Sequence, residues 1–116
     1  MNLDYAVDRL YQVGWNPADA SGVQLEHLPD GRSFPTVSAV QRQFADAGLE
    51  LSLKANDAFR CVRATWAPVA RNRRDAQQLP EHARTGTVVA SCEREAAVYA
   101  LATLTAAQAQ APILNA

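Results

Sequence analysis

The chain has 116 residues, a length that suits one domain. Eleven Lys and Arg stand against twelve Asp and Glu, and this net charge of −1 excludes a uniformly basic nucleic-acid coat and an acidic solvating tail. Hydrophobic residues make up 48% and charged residues 20%, the balance of a globular chain that can bury a core without metal or disulfide staples.

The start, Met1-Asn2-Leu3-Asp4-Tyr5, lacks the basic and apolar regions of a secretory signal, and no run of about 18 apolar residues predicts a membrane span. The expectation is a cytoplasmic protein with no membrane contact. Cys61 and Cys92 read as buried reduced thiols, with a disulfide between them as the alternative. With His27 and His82 they are the only Cys and His residues, and no two of the four sit at a ligand-pair spacing, so neither a metal site nor a cofactor is expected. Ten of the eleven basic residues are Arg and 23 residues are Ala, which the codons of a GC-rich genome explain. Use of the planar Arg fork on phosphates and aromatic faces is the other reading.

Residues 2–13 predict a helix with Leu3, Val7 and Leu10 on one face, Asn2 as N-cap and Gly14 as left-handed C-cap, and with Trp15 folding back over its end. Val23 to Leu28, followed by Pro29-Asp30-Gly31-Arg32 and Ser33-Phe34-Pro35, predicts a small hairpin or a lone edge strand. Thr36 or Ser38 caps a second helix with Val37, Val40, Phe44 and Ala47 on its buried stripe, ended by Gly48. Leu49, Leu51 and Leu53 alternate with polar residues as a half-buried strand. After an Asn56-Asp57 turn, Phe59 to Trp66 predicts its partner, ended by Pro68.

Residues 69–84 have no hydrophobic period and predict a long, solvated loop. Thr85 to Ala90 predicts a third strand, and Ser91 caps a closing helix to about Ala107 with Ala97, Leu101, Leu104 and Gln108 on its inner line. Val40, Phe44, Leu51, Leu101 and Leu104 are expected to share one core. The fold class is thus α/β (α+β): a three-stranded antiparallel sheet packed by two helices on one face, plus an N-terminal helix and short hairpin. Residues 1–34 form the N-terminal extension, 35–107 the α-β-β-β-α core and 108–116 a flexible tail.

From Pro35 onward the order helix, strand, strand, strand, helix resembles the double-stranded RNA-binding domain, over about two thirds of the chain. The helix running through Gly48 into Leu49-Glu50-Leu51, Gly86 before the last strand, and the helix start Ser91-Cys92-Glu93-Arg94-Glu95-Ala96-Ala97 are similar to that family. The resemblance implies phosphate contacts by three lysines at the last helix start, and the matching positions here are Glu93, Arg94 and Ala97. An anion at one of them opposes phosphate binding, so the resemblance implies the fold more than the activity.

Charge is unevenly placed. Residues 1–31 are net −4, residues 32–84 net +4 and residues 85–116 net −1. Arg60, Arg63, Arg71, Arg73, Arg74 and Arg84, with Trp66 among them and Arg94 beyond, are the candidate nucleic-acid-binding residues, because cations beside an aromatic hold single strands by phosphate contact and stacking. Pairing of the loop cations with Asp75 and Glu81 is the plainer account. A recognition helix with a wing would need a third helix where residues 23–34 predict strand and turn.

No Gly-rich phosphate loop, Gly-x-Ser-x-Gly or His-Glu-x-x-His occurs. Cys61 with His27 or His82 is a conceivable nucleophile and base, but the thiol falls in an apolar strand, and Asp4 and Asp8 lie on a solvated helix face. The chain is therefore expected to be a small non-catalytic binding module, with a protein partner ahead of RNA.

Overall fold

The computed structural model describes residues 3–19, 22–69 and 76–110. The fold is α+β, and among the described residues three long helices and two antiparallel sheets share one core. The expected N-cap Asn2 lies outside the described residues.

Helix α1, Leu3–Gln12, buries Ala6, Val7 and Leu10. It ends as its sequence predicts. The Trp15 N–H donates to the Leu10 carbonyl and the Gly14 N–H to that of Tyr11, a pairing that closes a helix around a left-handed residue. Gly14 supplies it with φ +103, where a side chain would be strained. Trp15 folds back onto Tyr11, with ring centroids 5.6 Å apart.

Strands β1, Leu25–His27, and β2, Ser33–Pro35, form the small hairpin, in register Glu26 to Phe34. Three polar ties fasten it to the helices. Arg32 bonds Asp8 on α1 and Asp30 in the turn. The Tyr11 hydroxyl donates to the Ser33 carbonyl at 2.7 Å, and Arg94 reaches Glu26 at 2.9 Å.

Thr36 is the cap of α2, Val37–Asp46; its hydroxyl accepts the Ala39 N–H at 3.2 Å. Val40 and Phe44 are buried. The chain then enters the main sheet: β3, Leu49–Asn56; β4, Cys61–Pro68; β5, Gly86–Ala90, in the order β3-β4-β5 and antiparallel throughout. Leu51 lies opposite Trp66, and Trp66 opposite Gly86.

Strand β4 sits two residues later than its composition predicts. The Asn56 side chain accepts the N–H groups of Ala58 and Phe59, which folds residues 57–60 into a turn and keeps Phe59 and Arg60 out of the ladder. Pro68 remains in the strand because β5 begins opposite Trp66 and asks no N–H of it.

Helix α3, Glu93–Gln110, is the centre of the molecule and runs three residues beyond the expected end. It packs against α1, α2 and the sheet, and Ala96, Ala97, Val98, Ala100, Leu101, Ala102, Leu104 and Ala107 are all buried. A helix surrounded in this way has no polar face over most of its length. Alanine lets its neighbours approach closely, so part of the high alanine content has a packing role. Gln108, placed on the inner line by its spacing, is exposed.

Where 76–84 was expected as open loop, it is packed structure. Ala76, Leu79 and Ala83 belong to the core, with a short 3-10 turn at Glu81–Ala83. The three stand at i, i+3 and i+7, a helical spacing that Pro80 interrupts, and they close the end of the sheet beside Trp66, whose indole N–H donates to the Ala83 carbonyl at 3.2 Å. Val40, Phe44, Leu51, Leu101 and Leu104 are buried together as expected.

Candidate binding surface

The seven candidate arginines fall into four groups. Arg84 is structural: its guanidinium donates to the carbonyls of Leu79 at 3.1 Å and Gln77 at 3.2 Å, holding the packed segment in shape. Arg94 is paired with Glu26, so the one cation at the start of α3 is neutralised within the fold. Arg71, Arg73 and Arg74 lie outside the described residues, as does Asp75.

Arg60 and Arg63 remain, at the hairpin end of β4. Val62, Ala64 and Trp66 face the helices and are buried, which puts Arg63 and Thr65 on the opposite face of the sheet. On that face Arg63 stands directly between Lys54 of β3 and Val89 of β5. Like charges opposite one another in a ladder destabilise it, by up to about 1 kcal/mol. No acidic side chain pairs with Lys54, Arg60 or Arg63 among the described residues.

At the apex, Arg60 holds φ 49, and Phe59 beside it is 78% exposed. The two bonds to Asn56 fix this turn, so the aromatic is presented by a defined backbone. Val89, 57% exposed, is the other large apolar group on this side. Phe59 and Lys54 escape sequence reasoning. The first looks like an ordinary strand residue, and the second gains its meaning only from a cross-strand register. Asn56, an Asx-turn former at the hairpin, is the signal that could have exposed Phe59.

The α3 start offers little to a phosphate. Glu93 is exposed, Arg94 is paired, and Ala97 is 1% exposed, inside the helix packing. An open cleft of about 500 Å³ lies between β1 and the starts of α2 and α3, lined by Glu26, Thr36, Cys92, Glu93 and Arg94. Its charges include the Glu26–Arg94 pair and a further carboxylate, which disfavours an anionic ligand.

Cys61 and Cys92 are half-buried rather than fully buried, and unbridged. His27 and His82 are exposed. Among the described residues no three His, Cys, Asp or Glu side chains converge, and no helix is long and apolar enough to cross a membrane. No family model matches the chain, and no curated protein or solved structure matches it either.

Proposed function

We propose that this chain is a small non-catalytic module that binds a protein partner through the hairpin end of its main sheet. Phe59 is the anchor, and Arg60 and Arg63 are the cations that orient an acidic partner surface around it. The exposure of Phe59 at a side-chain-locked turn carries this reading. An aromatic fixed in place gives contact area at low entropic cost, and Arg beside it is the usual companion at binding hot spots. The unbridged cysteines support a reducing compartment, the cytoplasm.

The runner-up is RNA. A base stacked on Phe59 with phosphates on Arg60, Arg63 and Lys54 is chemically sound. Three such contacts give a log–log salt slope of only about −2 to −3, which suits weak binding. The resemblance in element order to the double-stranded RNA-binding domain makes duplex RNA the second probe. Glu93 and the buried Ala97 oppose it.

The test places a photo-crosslinking phenylalanine analogue at position 59 in cells of the protein's own source. The expected adduct is a discrete, nuclease-resistant protein, and Arg60→Glu with Arg63→Glu removes it. A nuclease-sensitive adduct, or a low-micromolar RNA complex at physiological salt, overturns the protein reading in favour of RNA.

A further inference from the structure

The two edges of the main sheet differ in their cover. On β3, Leu49 and Leu51 are buried, and the Gln41 side chain donates to the Leu51 carbonyl at 3.3 Å. On β5, Thr87 and Val89 are exposed, Val89 by 57%. Ladder parity shows what these two residues present. The Val69 N–H donates to the Gly48 carbonyl, so the odd positions of β4 bond to β3. Bonded and non-bonded pairs alternate along an antiparallel ladder, so the even positions Val62, Ala64 and Trp66 bond to Ala90, Val88 and Gly86. Thr87 and Val89 therefore turn their backbone N–H and carbonyl groups outward, and no hydrogen bond among the described residues uses them. An open edge is usually blunted by charge or proline, and β5 carries neither.

A cleft of about 320 Å³ lies along this edge, between β5 and the C-terminal half of α3. The buried Trp66 and Ala107 give it an apolar floor, and Gly86, opposite Trp66 in the ladder, adds no side chain to fill it. Helix α3 contributes Thr103 and Ala106, both small, and the Thr103 hydroxyl is engaged with the Tyr99 carbonyl of its own helix. The ionisable groups of the lining are Arg9 of α1 and His82 of the 3-10 turn, and no carboxylate joins them among the described residues. Arg9 has no acidic partner among those residues either. Unused strand backbone, an apolar floor and a cationic rim thus meet in one place.

We infer that the β5 edge binds an extended acidic peptide segment of another protein, which adds a fourth, antiparallel strand to the sheet beside α3. Two peptide residues bond to Thr87 and Val89, and their side chains lie on the outer face of the sheet. The residue between them stands opposite Val88 and turns toward α3, where Thr103 and Ala106 leave room for a branched aliphatic side chain. Two residues further on, the peptide stands opposite Gly86, in the part of the cleft shared with Arg9 and His82, and there it carries a carboxylate. Main-chain bonds supply affinity, and the two inward side chains supply selectivity. This goes beyond the partner surface at Phe59, because the cleft lies at the Gly86 end of the sheet and Phe59 at the hairpin end.

Nuclear magnetic resonance titration of the isotope-labelled chain with the blocked peptide acetyl-Gly-Ser-Thr-Val-Thr-Glu-Thr-Ser-Gly-amide tests it. Saturable binding below millimolar concentration is expected, with the largest shifts at Thr87, Val89 and residues 103–107 and none at Phe59 or Arg60. Arg9→Glu weakens binding about tenfold, because an exposed ion pair becomes a like-charge pair, and lysine in place of the peptide's glutamate restores it to that variant. Thr87→Pro removes a donor that the β4 ladder does not use, so it abolishes binding while circular dichroism keeps the native spectrum. Methylated peptides read the same bonds with the protein unaltered. N-methylation of the two threonines that flank the valine abolishes binding, and N-methylation of the valine, whose N–H points away from β5, leaves it intact. Inorganic phosphate is the control for simple anion attraction. No saturable binding up to millimolar concentration, shifts on another face, indifference to Arg9→Glu, equal loss with either methylation, or phosphate competing as well as the peptide overturns the inference.

Discussion

Gly86→Ala is a substitution whose sign the structure decides. Gly86 has a backbone open to alanine, and replacing glycine at such a strand position stabilises a protein by about 0.4–1 kcal/mol through the unfolded chain. Here the packing opposes it. A Cβ on Gly86 would lie 2.2, 2.6 and 2.7 Å from Cζ2, Cε2 and Cη2 of Trp66. These are atoms of a buried ring that also contacts Phe44, with centroids 5.4 Å apart, so the ring has nowhere to go. Overpacking costs about 1–3 kcal/mol. Moving the indole also weakens its bond to the Ala83 carbonyl, a further loss of about 1 kcal/mol. The net expectation is a destabilisation of about 2–3 kcal/mol, or a fall in Tm of about 8–12 °C at about 4 °C per kcal/mol for a chain of this length. Urea unfolding followed by far-UV circular dichroism measures it. In a Trp66→Phe background the clashing atoms are gone, and the same glycine change should cost at least about 1 kcal/mol less. A more stable Gly86→Ala protein would refute the argument.

Phe44→Ala should cost about 3–5 kcal/mol, since the ring is fully buried at the meeting of α2, α3 and the sheet; a loss under about 1 kcal/mol in urea unfolding would show the stripe misread. Glu95, 2% exposed, accepts both the N–H and the hydroxyl of Ser91, and Glu95→Ala should cost about 1–3 kcal/mol and speed exchange of the Ser91 amide. Burial first, then the charges of Glu95 and Asp8, holds the Tyr99 phenol above its ordinary value. The fold thus favours its protonated form. That contribution is complete below about pH 10 and is lost as pH rises through the folded value. Tyr99→Phe should abolish this alkaline loss, which stability measured across about pH 9–12 will show.

The elements with local punctuation were legible in the sequence. Gly14 closes α1, Thr36 opens α2, and the alternation from Leu49 to Leu53 marks β3, because caps and periods act over a few residues. What depends on distant partners was not. Arg84 reads as a loop cation until it is seen to hold carbonyls five and seven residues back. Arg94 reads as a phosphate ligand until Glu26, 68 residues away in the chain, is found beside it. The start of β4 was misplaced because Phe59 has strand propensity, whereas the Asn56 side chain decides the turn. Ala76, Leu79 and Ala83 were hidden because two of the three are alanine and Pro80 breaks the helix that their i, i+3, i+7 spacing would otherwise mark. Of the candidate site, Arg60 and Arg63 remain, joined by Phe59 and Lys54, which only the register brings into view.

Helix α1 finds its main helical neighbour in α3, some ninety residues later in the chain. During synthesis α1 therefore emerges some eighty residues ahead of the helix that packs most closely on it. At about 5–20 residues per second that interval lasts on the order of ten seconds. The nascent chain must hold part of an apolar stripe in water, or in the care of a chaperone, until α3 is made. A fragment starting at residue 35 faces the reverse difficulty, since α3 would be left bare where α1 belongs. Helix α1 thus completes its docking only once residues 93–110 have been translated.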